Sequence, residues 1–427
     1  MSVYVISKDG QPLMPTERFG KVRRLLRDKK AKVIRRCPFT VKLLYEPETK
    51  AVQEVVLGQD TGSKCAGTAC IANDKVLYQS EVILRDDIKK KMDNRRGARR
   101  NRRNRKTRYR KARFLNRANS TRKDRLPPSV SSKVQSHVDE IEFCKKILPI
   151  SKIVLEVSQF DTQLMKNPVL INEKVRHWGY QKGFNYEYSS RREAVLNRDN
   201  YTCQCCGKKR VRLEVHHIIF RSKGGTDDEN NLITVCKGCH DAIHNGTLVL
   251  TKTPRRLNLK HATHMSIIRG QLLKIYPDAI ETFGFVTKEN RNNLNLQKEH
   301  FIDACVIASG GKEFKQLDLL FKKRRVPRQN RQLCKGIRGE KKIPTGKILG
   351  FRRYDKIKYL NEICFVKGRR SRGVFVLMDI DNKTIDFRDR GGRLNVSYKL
   401  LERLNTRRSV LCIGQISLNC DKGVKRC

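Results

Sequence analysis

Three short stretches determine the fold of the middle of this chain: CQCC at 203–206, VHH at 215–217 and CKGCHDAIH at 236–244. Two residues separate the cysteines of each outer pair, a spacing that aims two thiolates at one tetrahedral zinc ion. We predict a structural zinc site with no open coordination position, and Cys205 lies outside it. Its ligands would be Cys203, Cys206, Cys236 and Cys239. Because so short and loop-rich a unit has little core, zinc binding would supply much of its folding free energy.

The histidines of the same region remain available for a second metal and for acid–base chemistry. His240 and His244 stand four residues apart on a predicted helix, so their side chains share one face and can hold an ion together. His216 and His217 are neighbours on a predicted strand, where successive side chains point to opposite sides. We therefore expect these two neighbours to have different roles.

The chain is long enough for two or more domains, and its charge is strongly unbalanced. Among 427 residues, 94 Lys and Arg stand against 43 Asp and Glu, a formal net charge of +51. Such an excess indicates a polyanionic partner, and we expect nucleic acid. An anionic membrane is the poorer alternative, because there is no long apolar run and no signal-peptide pattern at Met1-Ser2-Val3. The scattered cysteines suit a reducing compartment, so we expect a cytoplasmic protein.

Apolar runs on both sides of the Cys/His region predict a mixed α/β chain of several domains. Residues 1–52 surround a Pro-Leu-Met-Pro element at 12–15, whose prolines forbid a helix there, and predict a small β-rich domain with one short helix. Residues 55–84 predict three consecutive strands, and residues 153–157 predict another buried strand. From about residue 313 the chain is basic and β-rich.

Residues 95–125 form a basic block with 13 Arg and 3 Lys, and Asp124 is its only acid. No proline interrupts the block, and its residue types favour helices, so we predict a long helix that becomes fully ordered when phosphates neutralise it. A disordered basic tail is the alternative, since like charges repel. The position between two strand patterns, with Phe114 and Leu115 as apolar anchors, favours the helix.

Three acids far apart in sequence each lie in an apolar strand or helix, where an unpaired carboxylate is costly. They are Asp60, Glu156 and Asp303. Gathered together they would need cations, and their hard oxygens suit Mg²⁺ or Mn²⁺; two such ions can clamp the attacking and leaving oxygens of an in-line displacement. His300 lies one helical turn before Asp303 and would face the same site.

The Cys/His region resembles the HNH, or ββα-metal, endonucleases. The resemblance implies that His217 is the general base that activates water for attack on a phosphodiester. It implies that His216, with His240 and His244, holds the catalytic divalent ion, and that Asn231 positions the base. Many members of that family carry an acid where His216 stands, so the identity of this metal stays open.

The order of Asp60, Glu156 and the pair of His300 and Asp303 resembles the RuvC nucleases of the RNase H fold. That resemblance implies metal binding by the three acids and help with proton transfer from His300. The basic block and the HNH region interrupt this order in turn, as in the type II CRISPR effector nucleases. With the Pro-Leu-Met-Pro element near its start, the whole chain more closely resembles the IscB family, their compact transposon-encoded relatives.

The family resemblance implies an RNase H-like (RuvC) core split into three segments, with a bridge helix and a ββα-metal HNH domain inserted and a basic β-rich C-terminal domain. The implied segments are a PLMP domain at 1–52, RuvC-I at 53–88, an arginine-rich bridge helix at 89–126, RuvC-II at 127–186, the HNH domain with its zinc site at 187–250, RuvC-III at 251–312, and at 313–427 a C-terminal domain that contacts a target-adjacent motif.

The same resemblance implies an RNA-guided DNA endonuclease that works as a protein monomer in a ribonucleoprotein. Its guide RNA, the ωRNA, would pair with one strand of double-stranded DNA. The HNH site would cut this target strand and the RuvC site the displaced strand, with Mg²⁺ or Mn²⁺ at both sites and zinc as a structural ion. Forked arginine side chains of the bridge helix would follow phosphates of the guide. The arginines expected to bind nucleic acid are Arg95, Arg96, Arg99, Arg100, Arg102, Arg103, Arg105, Arg108, Arg110 and Arg113.

Two other functions stay open at this point. A protein-guided HNH homing endonuclease would cut DNA without RNA and would give the three acids no role. A non-catalytic zinc-containing RNA-binding or ribosome-associated protein would explain the charge and the cysteines. It would not explain why His216, His217, Asn231 and His240 occur together.

Overall fold

The computed structural model of the chain describes residues 2–47, 52–106, 125–166, 171, 184–223, 225–250, 259–327 and 347–416. The chain divides into two compact units. One contains the residues up to Gln159 and those from His264 onward, and the other is Phe160–Thr263. The second unit is therefore an insertion in the chain of the first. Over the described ranges, we find no helix with both the length and the apolar character to cross a membrane.

The strands of the described residues are β1 (Val3–Ile6), β2 (Pro12–Thr16), β3 (Ala31–Arg36), β4 (Phe39–Leu43), β5 (Val55–Asp60), β6 (Cys65–Ala72), β7 (Lys75–Ile83), β8 (Ile150–Glu156), β9 (Leu213–His217), β10 (Leu232–Cys236), β11 (Ile280–Thr282), β12 (Leu319–Arg325), β13 (Lys356–Tyr359), β14 (Glu362–Arg369), β15 (Val374–Met378), β16 (Asn395–Ser397), β17 (Glu402–Asn405) and β18 (Val410–Ile416). The helices are α1 (Phe19–Arg27), α2 (Ile88–Lys106), α3 (Pro128–Lys145), α4 (Thr162–Lys166), α5 (Arg191–Arg198), α6 (Lys237–His244), α7 (Lys260–Ile275), α8 (Gly284–Asn293) and α9 (His300–Ser309).

The N-terminal part of the first unit is a four-stranded sheet in the order β2-β1-β4-β3, with α1 connecting β2 to β3. The predicted small β-rich region with one helix is confirmed in its secondary structure. Pro12 and Pro15 both lie in β2, which is an edge strand. An edge strand tolerates proline because the missing N–H can face outward.

A seven-stranded sheet forms the centre of the first unit, in the order β11-β8-β5-β6-β7-β12-β18. Strands β5, β6 and β7 are antiparallel neighbours, and β8 runs parallel to β5. The strands predicted at 55–84 and 153–157 are confirmed. Leu57, Tyr78 and Leu155 are fully buried in the core beside this sheet.

Helix α3 is attached to the sheet by a buried ion pair. Lys323 Nζ of β12 lies 2.6 Å from Glu140 Oε1 of α3 and 2.6 Å from the hydroxyl oxygen of Tyr78. Tyr78 and Ser80 donate to the same carboxylate oxygen, at 2.7 and 2.8 Å. Burial acts to raise the pKa of Glu140, but the Lys323 ammonium holds it below its usual value. Because each charge has partners, the pair avoids the cost of an uncompensated buried ion.

Helix α9 lies directly against β5 and β6, and two glycines make room for it. A Cβ atom on Gly58 would come within 2.4 Å of the Ala304 carbonyl oxygen, and one on Gly67 within 1.8 Å of the His300 carbonyl oxygen. No real side chain fits such gaps, so the backbones touch only because both residues lack Cβ. The helix then ends at Gly310, which adopts a left-handed conformation with φ of 65°.

The second unit contains an antiparallel pair, β9 and β10, followed directly by α6. In their register His217 lies opposite Leu232 and His216 opposite Ile233. Helix α5 begins after Ser190, whose side chain accepts a hydrogen bond from the Glu193 amide at 3.2 Å, a normal N-terminal cap. The predicted strand with His216 and His217 and the predicted helix with His240 and His244 are both confirmed.

The C-terminal region of the first unit contains a five-stranded antiparallel sheet in the order β16-β15-β14-β13-β17. Its core includes the fully buried Phe375, Leu377 and Phe387. This confirms the β-rich character expected after residue 313.

The basic block is helical as far as the structure describes it. Helix α2 starts at Ile88 and continues to Lys106. Residues 107–124 lie outside the described residues, and with them the predicted contacts Arg108, Arg110 and Arg113 and the anchors Phe114 and Leu115.

Replacing Gly58 by Ala should lower the free energy of unfolding of the first unit by roughly 1–3 kcal/mol, because the new methyl group meets the backbone of α9. A matched control is Gly97→Ala in α2, where a Cβ meets nothing within 4 Å. The control should be neutral or stabilising by up to about 1 kcal/mol, since Ala favours helices over Gly. Urea unfolding of both variants measures the difference. Equal midpoints would show that α9 does not press on β5.

Candidate functional site

Four cysteine sulfurs of the second unit converge on one point. The Sγ atoms of Cys203, Cys206, Cys236 and Cys239 all lie within 4.8 Å of one another. Cys236 ends β10 and caps α6, so strand and helix together direct the second pair towards the first. The predicted four-cysteine set is thus brought together, and its spacing suits tetrahedral zinc.

The electrostatics of these thiols fit a cation. Burial acts to raise the pKa of Cys203, but bonds from the backbone amides of Cys206 and Cys236 lower it to about 6. Burial, followed by a hydrogen bond with the Cys236 thiol, raises the pKa of Cys239. One thiol of the set ionises readily and thereby opposes ionisation of the next, and a bound zinc ion removes this conflict.

Three histidines of β9 and α6 form a second converging set. The His216 ring centroid is 5.1 Å from that of His240 and 5.1 Å from that of His244, and one nitrogen of each ring lies within 4.8 Å of the other two. His216 Nε2 is buried and has no hydrogen-bond partner among the described residues. A buried nitrogen without a partner, directed at two more imidazoles, is what a metal ligand requires.

The protonation of His216 also suits a metal ligand. Burial, and then the neighbouring His240 and His244, lower the pKa of His216 to about 4. The ring is therefore neutral near pH 7, the form that donates a lone pair to a metal. His240 Nδ1 lies 3.4 Å from Glu214 Oε2, so a carboxylate orients one of the other two rings.

His217 points to the opposite side of β9, as the alternation of strand side chains predicts. Its Nε2 lies 2.8 Å from Asp227 Oδ1, and the same carboxylate accepts from Arg221 Nη2 at 2.7 Å. With Nε2–H donating to Asp227, Nδ1 is left as the proton acceptor. The His217 side chain retains 22% of its surface exposed, so solvent reaches it. Asp227 was missed from the sequence, where it is the first of three consecutive acids.

Asn231 is buried and organises the loop that follows His217. Its Oδ1 accepts from the Ile219 amide at 2.9 Å, while its Nδ2 donates to the carbonyl oxygens of Ile219 at 3.1 Å and Thr226 at 2.7 Å. Gly225 fits the same turn, because a Cβ there would come within 1.7 Å of the Ile219 carbonyl oxygen. The side chain of Asn231 thus binds backbone two residues beyond His217, and its neighbour Asn230 is exposed.

The three predicted acids of the first unit lie near the carboxyl ends of β5 and β8, two inner strands of the seven-stranded sheet. Asp60 ends β5 and Glu156 ends β8, and the parallel register sets them side by side. Helix α9 brings His300 Nδ1 to 2.6 Å from Asp60 Oδ2. Asp303 follows one turn later on α9 and, like Asp60, is buried. Residues 240 apart in sequence are therefore in direct contact.

Glu156 and Asp303 lie in an environment that opposes their ionisation. Burial, and then the charge of Asp60, raise the pKa of Glu156 to about 7. Burial also raises the pKa of Asp303, although Arg291 acts against it. The hydrogen bond that the His300 ring donates to Asp60 raises the pKa of His300. Crowded carboxylates of this kind become fully ionised when a cation is bound.

Arg291 was not predicted and takes part in this site. Its Nη1 lies 2.5 Å from Asp303 Oδ1, and both side chains are about nine-tenths buried. Among the described residues, the cysteine and histidine sets bring all their ligand atoms within 4.8 Å, whereas the three acids are not such a set. The guanidinium partly neutralises Asp303 at this end of the sheet. No pattern in Asn290-Arg291-Asn292-Asn293 signals this role.

The arginines of α2 point outward. Arg95, Arg96, Arg99, Arg100, Arg102 and Arg103 are all exposed. The carboxylate oxygen Oδ1 of Asp93 lies 3.7 Å from Nη1 of Arg96. Arg105 lies on the same helix but its side chain is outside the described ones. Helix α2 thus presents a dense array of forked donors that suits phosphates.

Two family models match this chain. Residues 3–183 match the model described as RRXRR protein, and residues 203–246 match HNH endonuclease. The five residues Arg99-Arg100-Asn101-Arg102-Arg103 of α2 have the form of the first name. The second match contains both the cysteine set and the histidine set.

Two curated proteins are similar to this chain over short lengths. Anaredoxin of Nostoc sp. (strain PCC 7120 / SAG 25.82 / UTEX 2576) is 35% identical over 63 residues, which cover 15% of this chain and 83% of anaredoxin. The type IV methyl-directed restriction enzyme EcoKMcrA of Escherichia coli (strain K12) is 34% identical over 58 residues. That match covers 12% of this chain and 21% of the restriction enzyme, so the chain spans about a fifth of that relative.

A ββα unit with a metal-ready histidine set and a four-cysteine set defines the class of HNH-type nucleases. This chain belongs to the HNH nuclease family and joins an RRXRR domain to its HNH endonuclease domain. DNA is the substrate that an HNH endonuclease domain implies, and a metal ion is its cofactor.

Replacing Cys206 by Ser should reduce bound zinc by about one ion per chain, because three thiolates no longer close the tetrahedral site. The second unit should then unfold, since its small core depends on the metal. The matched control is Cys205→Ser, one residue away and outside the set. Elemental analysis and limited proteolysis of both purified variants test this. A Cys206→Ser protein with full zinc content would contradict the four-cysteine site.

Replacing Asp227 by Asn should slow DNA cleavage at the HNH site by roughly 10- to 100-fold, because the neutral amide no longer favours the tautomer in which Nδ1 of His217 accepts a proton. The matched control is Asp228→Asn, whose carboxylate bonds Thr226 instead. Strand-specific cleavage of labelled DNA measures both. If both variants cut at the same rate, Asp227 does not orient the base.

Proposed function

We propose that this chain is an RNA-guided DNA endonuclease of the IscB kind, with two metal-dependent sites that each cut one strand. The observation that carries the proposal is the acid cluster of the first unit. A second set of nuclease-type side chains, Asp60, Glu156, His300 and Asp303, lies in a unit whose chain is interrupted by the HNH unit. A simple HNH enzyme gives this cluster no role.

The sheet and its helix support an RNase H-like, RuvC-type core built from residues 53–88, 127–186 and 251–312. Asp60, Glu156 and Asp303 would hold Mg²⁺ or Mn²⁺, which polarises the phosphodiester and lowers the pKa of bound water. The raised pKa values of Glu156 and Asp303 support this assignment, since a bound cation would offset the burial and the neighbouring charge of Asp60 that raise them. His300, hydrogen-bonded to Asp60, would carry a proton at this end of the sheet.

In the HNH domain, His217 would take the proton of the attacking water at Nδ1, with Asp227 holding the ring. His216, His240 and His244 would hold a divalent ion that stabilises negative charge on the phosphate. Asn231 would position His217 indirectly, through the backbone of Ile219. The four-cysteine zinc site would stay structural.

The charge of the chain supports a guide RNA. The arginines of α2 are exposed and nearly without acids, and a net charge of +51 exceeds what a transient contact with DNA needs. In the C-terminal region, Arg352, Arg407 and Arg408 line a cavity of about 410 Å³. Burial, and then the charge of Arg352, lower the pKa of Arg407. Guanidiniums crowded in this way are stabilised by phosphates. This region would contact the target-adjacent motif.

A second candidate function is a protein-guided HNH endonuclease. It is favoured by the similarity of 58 residues of this chain to a methyl-directed restriction enzyme. RNA that copurifies with the chain distinguishes the two. Sequencing should find one abundant noncoding RNA with a variable guide end, and removing it with ribonuclease should abolish cleavage. Specific cleavage that survives ribonuclease would favour the second candidate, and bound RNA without any cleavage would favour a non-catalytic RNA-binding protein.

The two-site proposal is tested by Asp60→Ala and His217→Ala in the purified ribonucleoprotein. Asp60→Ala should cut only the target strand and His217→Ala only the displaced strand, each losing the other cut by at least about 100-fold. Plasmid nicking with each strand labelled measures this.

The exposed acid Asp86 provides a control, and Asp86→Ala should cut both strands. The double variant of Asp60 and His217 should cut neither. If either single change abolished both cuts, the two sites would not be independent.

A further inference from the structure

We propose that Cys37 and Cys412 form a redox site, at which a small disulfide converts two thiols into a reversible intramolecular disulfide. The bond would join the N-terminal sheet to the last strand of the central sheet. This site is separate from both nuclease sites and does not depend on the proposed function.

The geometry carries the proposal. Cys37 lies in the turn between β3 and β4, and Cys412 lies in β18 opposite Lys323 of β12. The two Sγ atoms are 3.7 Å apart, although the residues are 375 apart in sequence. A disulfide has an S–S length of about 2.05 Å, so the sulfurs need to approach by less than about 2 Å. The fold, not the local chain, brings them together.

The pair is accessible. Both residues line one cavity of about 960 Å³, and both are only partly buried. A cavity of this size admits a peptide-sized reagent such as oxidised glutathione. Arg35 and Arg36 line it beside Cys37 and Arg408 lines it near Cys412, so an acidic reagent is attracted.

The surroundings also activate one of the two thiols. The hydrogen bond with Cys412 lowers the pKa of Cys37 to about 6. Burial opposes this shift, and the charge of Lys356 acts in the same direction as the hydrogen bond. Lys356 Nζ is held nearby, where it donates to the Cys412 carbonyl oxygen at 3.0 Å. Near pH 7 Cys37 is therefore largely the thiolate, which is the form that attacks disulfides.

Other cysteines of the described chain make useful comparisons. Cys70 and Cys144 are also in hydrogen-bond contact, but both are fully buried, and burial raises the pKa of Cys144. Burial likewise raises the pKa of Cys364 to about 12. Cys70 and Cys144 are thus close together but buried, whereas Cys37 and Cys412 are close together, accessible and include a thiolate.

The chemistry balances with a low-molecular-weight disulfide as the oxidant. The Cys37 thiolate attacks one sulfur of the reagent, forms a mixed disulfide and expels one small thiolate. Cys412 then gives up its proton to that thiolate and attacks Cys37 Sγ, expelling the second small thiolate, which takes a proton from solvent. Two protein thiols are oxidised and one small disulfide is reduced to two thiols.

Bond formation would have a structural consequence for the cavity. Arg36, next to Cys37, and Arg408, four residues before Cys412, both line the cavity. A disulfide between Cys37 and Cys412 would fix the distance between these two parts of its strongly basic lining. The redox state of the pair would therefore control how far the cavity can open.

The test is peptide mapping of the full-length, zinc-loaded protein after exposure to oxidised glutathione near pH 7, with alkylation of free thiols. We expect a peptide containing Cys37 linked to one containing Cys412, and its loss after dithiothreitol. The linked form should appear roughly tenfold or more faster than any link between Cys70 and Cys144.

Variants complete the test. Cys37→Ser should abolish the linked peptide, and the matched control Cys364→Ser should leave it unchanged, with unfolding midpoints under reducing conditions confirming that both fold. The wild-type map decides the question even if a variant fails to fold. Persistent alkylation of both thiols, a mixed disulfide at Cys37 that never resolves, or equal linking of Cys70 and Cys144 would each overturn the proposal.

Discussion

The close approach of α9 to β5 and β6 is the constraint on which the first unit depends. At Gly58 and Gly67 the backbones of sheet and helix are so close that a single added methyl group would overlap the helix. Because the helix lies this close, His300 reaches Asp60 and Asp303 stays buried beside it. A helix held away from the sheet by side chains would carry the same residues several ångströms from Asp60. Two glycines with no chemistry of their own therefore create the acid cluster.

The two units arrange their candidate metal-binding side chains in different ways. The second unit has a small core, and it gathers three imidazoles and a set of thiols that metal binding would stabilise. The first unit has a large core and can tolerate buried acids whose pKa values are raised. It balances them with internal partners, Arg291 at Asp303 and His300 at Asp60. The histidine set is thus nearly complete before a metal arrives, whereas the acid set is held by a counter-charge.

Much of the fold could be predicted because it follows from periodicity and spacing. The strands at 55–84, the opposite directions of His216 and His217, and the shared face of His240 and His244 all depend on the repeat of strand or helix. Asp227 and Arg291 could not be predicted in this way. Their partners come from a loop turn and from a neighbouring helix, and no repeat in sequence relates Arg291 to Asp303. Asn231 is the buried member of the Asn230-Asn231 pair, and its bonds to Ile219 depend on the shape of the loop.

The charge of the chain links its separate parts. In the buried core beside the central sheet, the charge of Lys323 is matched by that of Glu140, because an unpaired buried ion is too costly. On α2 and around Arg407 acids are fewer than arginines: Asp93 lies near Arg96, and Asp355 accepts from the Arg407 amide, while arginines stand next to arginines. Self-repulsion of this kind lowers stability in the free protein, while the same clustering multiplies the gain when a polyanion binds and releases its counterions. The arginines of α2 and of the region around Arg407 are therefore the surfaces at which we propose that a nucleic acid would add to the stability of the fold.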